Sequence, residues 1–361
     1  DYSWFFIFAL ILVSLSAGYF PGRVADQPTL AYWVAGAAAT LLFFLSILAH
    51  ELSHAFTARL LGIRVPAITL FLFGGVSHME QEARNPSSEF RVAVVGPLTS
   101  LGLAALFRGL GGALPAGSPP MLAAVVDYLA WINAALGVFN LLPGFPLDGG
   151  RILRAVAWWK TGSLRRATRL AADAGKGLAV GLMLLGALQV FTGALMGGLW
   201  LVFIGMFLRS MAEAGYRGLV VSQMLEGVRV DEVAIANPVT VEPRLSLREL
   251  VDRYLLEHGH RAYPVVTDGR PLGLISIEDL KDLPPDKREG TTVGERMRPL
   301  DDGLRVESGL PLDRALEKLA RAPGGRLLVM RGDRLAGMLT PSSLARFIEI
   351  RSALAEEPRE A

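Results

Sequence analysis

His50, Glu51 and His54 are the residues of this chain whose types and spacing could do chemistry by themselves. In a helix, side chains four apart lie over one another, so His50 and His54 can grip one zinc ion through their imidazole nitrogens. Glu51 then stands within reach of a water that the ion activates, and can take its proton. A hydrolytic zinc site needs a third protein ligand and an open fourth position. The chain has no cysteine, which excludes thiolate ligands and disulfides, so that ligand is nitrogen or oxygen. The other histidines are His78, His258 and His260, and the last two lie in a more polar half of the chain, which favours a carboxylate. Asp148 is the candidate. It sits in Asn140-Leu141-Leu142-Pro143-Gly144-Phe145-Pro146-Leu147-Asp148-Gly149-Gly150-Arg151, where prolines end an apolar stretch and glycines permit an unusual backbone path. Its competing role is to cap a helix starting at Arg151. His78, close to Glu80, is either a fourth ligand that blocks water until substrate arrives or a surface histidine.

The elements that must position these groups are membrane helices. Of the 361 residues, 52% are hydrophobic and only 19% charged, and mean hydropathy is +0.39, too apolar for an ordinary soluble protein. Leu30 to Ala49 is a run of 20 residues without a formal charge, enough to cross a bilayer, and the histidine pair follows it directly. Ionisable groups at such a place are costly in lipid and mark functional sites. Apolar stretches predict six spans, at about 4–21, 30–57, 88–107, 121–142, 166–191 and 195–215; the last two share the uncharged run Gly177 to Leu208, broken near Thr192-Gly193-Ala194. The first stretch lacks a basic flank and a small-residue cleavage site, and reads as a span and not a signal peptide. Asp1 stands where a methionine would begin the chain, so its start is expected upstream. Basic residues between Arg151 and Lys176, against Arg108 alone between the third and fourth spans, orient that segment and both termini to the cytosol.

Residues 63–76, between the second and third spans, are rich in β-branched and aromatic side chains and too short to span as a helix, which predicts a strand or hairpin. From Val220 the character changes. Residues 1 to 220 carry 15 Lys+Arg against 10 Asp+Glu, and the remainder 21 against 24. The overall net charge of +2 argues against nucleic acid as a partner. Tyr263-Pro264-Val265-Val266 through Gly273-Leu274-Ile275-Ser276-Ile277-Glu278-Asp279 is echoed by Leu327-Leu328-Val329-Met330 through Gly337-Met338-Leu339-Thr340-Pro341-Ser342-Ser343, with matching glycines 64 residues apart. The expected fold is therefore a polytopic α-helical membrane domain (six transmembrane helices with a short membrane-associated β element), residues 1–219. An α/β tandem domain follows at 220–350, with units at about 220–285 and 291–348, and then a polar tail at 351–361.

His-Glu-x-x-His on one span with Asn-x-x-Pro-x-x-Pro-Leu-Asp-Gly-Gly-Arg at the end of a later one resembles the site-2 protease family of intramembrane zinc metalloproteases. Glu89-Phe90-Arg91-Val92-Ala93-Val94-Val95-Gly96-Pro97-Leu98-Thr99-Ser100 is similar to that family's Gly-Pro-Leu segment, and the tail repeat resembles the pair of CBS modules carried by one six-span branch. The resemblance implies zinc held by His50, His54 and Asp148, with Glu51 as general base that returns its proton to the leaving amine. Asn140 matches the family asparagine that holds substrate or oxyanion; a helix-to-helix hydrogen bond is its other role. Arg151 reads as structural or interfacial.

Substrates would be single-pass membrane proteins of the anti-sigma-factor or signalling-precursor kind, cut in the bilayer near the cytosolic face. The family setting is a multi-pass protein of the cell inner membrane with site and tail toward the cytosol. A helical substrate must unwind before its carbonyl is reachable, and a strand edge at 65–73 could hold it by strand addition. CBS pairs take adenosine nucleotides (ATP, ADP or AMP) through Gly-x-x-Ser/Thr-x-x-Asp. Gly273, Ser276 and Asp279 match this in the first copy; Gly337 and Thr340 match in the second, where Ser343 replaces the aspartate. The pair serves nucleotide sensing or homodimerisation alone. A CBS-gated transporter or channel with a metal site is the alternative function, one that has no need of Glu51.

Overall fold

The structure is a computed structural model that describes residues 3–63, 65, 67–71, 74–78 and 85–355. It divides into two compact units, Asp1–Leu219 and Val220–Ala361.

The first unit is helical. α1 (Ser3–Ser14) passes through a π-helical turn, Leu15–Tyr19, into α2 (Phe20–Arg23). α3 (Thr29–Leu60), α4 (Pro86–Gly112) and α5 (Pro120–Asn140) follow, then the short α6 (Asp148–Thr161), α7 (Leu164–Phe191) and α8 (Leu195–Leu225). Among the described residues six helices are long and apolar enough to cross a membrane: Phe5–Arg23, α3, α4, α5, α7 and α8. The chain is thus a multi-pass membrane protein. The predicted break between the last two spans falls at Thr192 to Ala194, where Gly193 takes φ +95°. The sixth helix runs on to Leu225, beyond the expected end, because nothing before the glycine at 227 breaks it.

The packing reverses the soluble rule. The buried face of α3 is made of Ala35, Gly36, Ala39, Ala55 and Ala58, while Leu41, Leu45 and Phe56 point outward. In lipid, large apolar side chains gain nothing from burial, and small residues let helix backbones approach. α4 is central: it packs on α3, α5 and α6. It starts on Asn85, whose side chain accepts from the Ser88 amide at 2.8 Å, with Pro86 in the first turn where no donor is needed.

Between α3 and α4, β1 (Ala67–Phe71) pairs antiparallel with β2 (Gly74–His78), Ala67 opposite His78 and Phe71 opposite Gly74. The predicted β element is a hairpin; Arg64, Pro66, Leu72 and Phe73, which belong to that expectation, lie outside the described residues.

Among the described residues the second unit holds two sheets. β4 (Ala262–Thr267) and β5 (Arg270–Ser276) form a hairpin on Asp268-Gly269, both with positive φ as a tight two-residue turn requires. β8 (Leu327–Arg331) and β9 (Arg334–Leu339) form the second hairpin. β7 (Arg305–Glu307) lies parallel to β8. The short strands are exchanged: β3 (Ile235–Ala236), which leads into the first copy, pairs with β9, and β6 (Arg298–Pro299), which leads into the second, pairs with β5. This explains the repeated glycines. A Cβ on Gly273 would sit 2.1 Å from the Arg298 carbonyl oxygen, and one on Gly337 2.9 Å from that of Ile235. Ala262 and Leu274 pack with Leu328, Met330 and Met338, joining the two sheets in one core.

Candidate metal centre

His50 and His54 are buried on the same face of α3, one turn apart. Asp148 opens α6. Its Oδ2 lies 3.1 Å from His50 Nε2 and 3.2 Å from His54 Nε2, and the two Nε2 atoms are 3.2 Å apart. Two observations orient the rings. His54 Nδ1 is 2.6 Å from the Val92 carbonyl oxygen, which only accepts, so the ring hydrogen is on Nδ1 and Nε2 presents a lone pair. His50 Nδ1 lies 2.9 Å from the hydroxyl of the fully buried Ser100.

Both outer partners come from α4, and so does the space. A Cβ on Gly96 would fall 2.2 Å from His54 Nε2 and 2.6 Å from His50 Nε2. Val92, Gly96 and Ser100 recur at helical spacing on the buried stripe of α4. That helix contributes a carbonyl, a gap and a hydroxyl.

Asp148 reaches the histidines because the chain folds back tightly after α5. A Cβ on Gly149 would stand 2.3 Å from the carbonyl oxygens of Leu141 and Leu142, and one on Gly150 2.4 Å from the Gly144 carbonyl carbon. Only a glycine pair lets the first turn of α6 lie against this loop. The helix begins at Asp148 itself, with Leu147 at the cap and no side-chain capping bond, so the carboxylate is turned to the histidines instead of capping a helix at Arg151.

These three residues could hold a metal ion: their ligand atoms lie within 4.8 Å of one another. Two imidazoles and a carboxylate are a donor set of catalytic zinc sites. A tetrahedral shell with bonds near 2.0–2.1 Å has edges of about 3.3 Å, close to the 3.1 to 3.2 Å separations here. A cation satisfies three converging lone pairs at once.

Glu51 is half-buried beside His50 on α3. Asn140 ends α5, and its amide donates to the Leu136 carbonyl of its own helix at 3.0 Å, a partner within one helix and not between two. Arg151 is not a free interfacial residue, since its Nε is 3.8 Å from the fully buried Glu89 carboxylate. His78 is the last residue of β2. The sequence by itself does not distinguish Val92, Gly96 and Ser100 from their neighbours; its visible signal is Gly96-Pro97 inside an otherwise helical apolar stretch.

In the second unit, the Ser276 amide and hydroxyl both donate to Asp279 Oδ2, at 2.9 and 2.5 Å, and Arg298 Nε donates to Asp279 Oδ1 at 2.8 Å. Ser276-x-x-Asp279 is thus a capping box at the end of β5. In the second copy Ser343 takes the capping place: the Thr340 amide donates to its hydroxyl at 3.1 Å, and its amide to Thr340 Oγ1 at 3.0 Å. Glu278, beside this box, has its carboxyl held down against the effect of burial by hydrogen bonds and by the nearby Arg326 and Arg261.

The profile of peptidase family M50 matches residues 38–116 and 120–184, which contain both histidines and Asp148, and the CBS domain profile matches 230–286. "Putative zinc metalloprotease Rip3" of Mycobacterium tuberculosis is 39% identical over 359 residues, 98% of this chain and 90% of that protein. "Zinc metalloprotease MJ0392" of Methanocaldococcus jannaschii is 31% identical over 312 residues, 86% of this chain and 84% of that protein. A solved "Site-2 Protease from Methanocaldococcus jannaschii" is 28% identical, with a TM-score of 0.43 over 59% of this chain and 87% of that one. The chain belongs to peptidase family M50, the site-2 proteases, and is a zinc metalloprotease carrying a CBS domain. That assignment displaces the transporter or channel alternative.

Proposed function

We propose that this protein hydrolyses peptide bonds of membrane-spanning protein segments near the cytosolic face, at a zinc ion held by His50, His54 and Asp148. The observation that carries the reading is the convergence of His50 Nε2, His54 Nε2 and Asp148 Oδ2, beside Glu51, within a bundle whose outer surface is apolar. Zinc bound there would polarise the scissile carbonyl and acidify the attacking water. Glu51 takes the proton of that water and returns it to the leaving amine. Asn140 has one amide hydrogen committed to Leu136, and the other is the donor that would meet the substrate or its oxyanion. Among the described residues the hairpin pairs with no third strand, and an unwound substrate adds to β1 as a further strand.

The basic stretch Arg151 to Lys176 supports a cytosolic position for the start of α6, where Asp148 stands, and for the tail, in a cell inner membrane, with single-pass membrane proteins as substrates. Adenine nucleotide at the CBS pair, through Ser276, Asp279 and Thr340, is the regulatory part of the reading, and pairing of two chains through these modules belongs with it. Ser276 and Thr340 occupy equivalent strand ends, which supports it; the Asp279–Arg298 pair is what a ribose would have to displace.

The test compares wild type with Glu51→Gln in liposomes against a panel of single-pass membrane proteins, with bound zinc measured in parallel. Cleavage by wild type alone, with about one zinc in each protein, is expected. Equal zinc and identical behaviour toward every substrate would overturn the reading.

A further inference from the structure

A second cluster of charge is hidden in the first unit, away from the metal triangle. Glu89 is fully buried near the start of α4. Arg154 Nε donates to its Oε1 at 2.7 Å, Arg154 Nη2 donates to the same oxygen, and Arg151 Nε stands 3.8 Å away. The Arg154 guanidinium also covers the Phe145 ring, 5.2 Å from its centroid. One arginine of α6 thus holds both α4 and the turn that delivers Asp148.

Buried ion pairs contribute little net stability, because desolvating both charges offsets their attraction. What such a pair does supply is a fixed geometry, since neither charge can leave the other without a large cost. The geometry at stake is readable from the helices. Arg151 and Arg154 follow Asp148 by one and nearly two turns of α6, about 4.5 and 9 Å along its axis. Glu89 precedes Val92 by one turn of α4 and Gly96 by two, on the same buried stripe. The pair therefore ties the helix that carries Asp148 to the helix that orients His54 and makes room for both histidines.

We propose that Glu89 and Arg154 are positioning residues of the metal centre: their ion pair sets the depth and rotation of α6, and with them the place of Asp148 Oδ2 against the two histidine nitrogens. This rests on the reading of His50, His54 and Asp148 as ligands.

The test is a double-mutant cycle on zinc affinity, measured by chelator competition on the full chain in detergent. The four proteins are wild type, Glu89→Gln, Asp148→Ala and the double variant. Glu89→Gln is expected to weaken zinc by roughly 10- to 100-fold, the usual effect of losing a partner that orients a ligand, and to add nothing once Asp148 is gone. Arg154→Lys, which keeps the charge but loses the planar fork and ring stacking, should follow the same pattern and serves if Glu89→Gln does not fold. Equal losses with and without Asp148 would reveal a general structural role and overturn the proposal, as would no loss in either background. If Asp148→Ala binds zinc as wild type does, the ligand reading itself fails, and this proposal with it.

Discussion

Gly96→Ala is the smallest change that strikes the proposed centre without altering His50, His54 or Asp148. Its methyl group would fall 2.2 Å from His54 Nε2 and 2.6 Å from His50 Nε2. Ordinary contact begins at 3.4 Å, so the rings must retreat by about 1.2 and 0.8 Å, or α4 must withdraw by a similar distance. Metal ligation tolerates displacements of about 0.2 Å. Withdrawal of α4 is no escape, for it would stretch the His54 contact to Val92 from 2.6 Å and the His50 contact to Ser100 from 2.9 Å beyond hydrogen-bond length. We expect zinc affinity to fall at least about 100-fold, or about 2.7 kcal/mol, with cleavage lost in proportion. The assay is chelator competition on detergent-solubilised protein, with helix content by circular dichroism. Gly102→Ala on the same helix is the control: a Cβ there meets nothing within 4 Å. It should retain zinc and gain up to about 1 kcal/mol of helix propensity. Wild-type zinc affinity in Gly96→Ala would refute the reasoning.

Two other perturbations address the hairpin and the tail. Phe71→Pro removes a backbone donor from β1 and should lower cleavage of membrane-spanning substrates while zinc content stays at the wild-type level; undiminished cleavage would remove β1 from substrate binding. Arg298→Ala frees Asp279 from a partner whose side chain is 39% exposed, so calorimetric titration of ATP, ADP and AMP should show binding a few-fold tighter than wild type. Weaker binding would instead make Arg298 part of the nucleotide site.

How much of this was legible in the sequence depends on what each residue contributes. His50, Glu51, His54 and Asp148 carry chemistry in their side chains, and spacing plus an apolar setting makes them conspicuous. Whether Asp148 was ligand or cap was a choice that the local sequence left open, because aspartate is equally suited to both; the start of α6 at Asp148 itself decides where the carboxylate turns. The part played by α4 was hard to read for a physical reason. Val92 acts through its carbonyl, which every residue has, and Gly96 through the absence of a side chain. Glu89 and Arg154 meet across 65 positions of chain, and the sequence sets no opposite charge three or four residues from either to announce them. In the tail, the hairpins show as alternating apolar runs, whereas β3 and β6 have two residues each, too short for any pattern. Their exchange is nonetheless written in Gly273 and Gly337, the positions where the crossing strand leaves no room for a side chain.

The Gly96-Pro97 pair shows why the site and the fold cannot be separated in this protein. A proline inside a helix deprives the carbonyl four residues earlier, here that of Ala93, of its donor, and glycine adds the entropy of a freer backbone. Together the two would disfavour an isolated helix by about 4 kcal/mol. A membrane bundle tolerates this, since neighbouring helices confine the backbone. α5 does so directly: Gly137 lies so close to α4 that a Cβ there would be 3.2 Å from the Pro97 carbonyl oxygen and 2.8 Å from Leu101 Cγ. The weakened middle of α4 is therefore held from one side by α5 through Gly137, while on its buried stripe Gly96 admits the histidines and Glu89 binds α6. A stronger helix former at 96 would improve the helix and close the space on which the proposed metal centre depends.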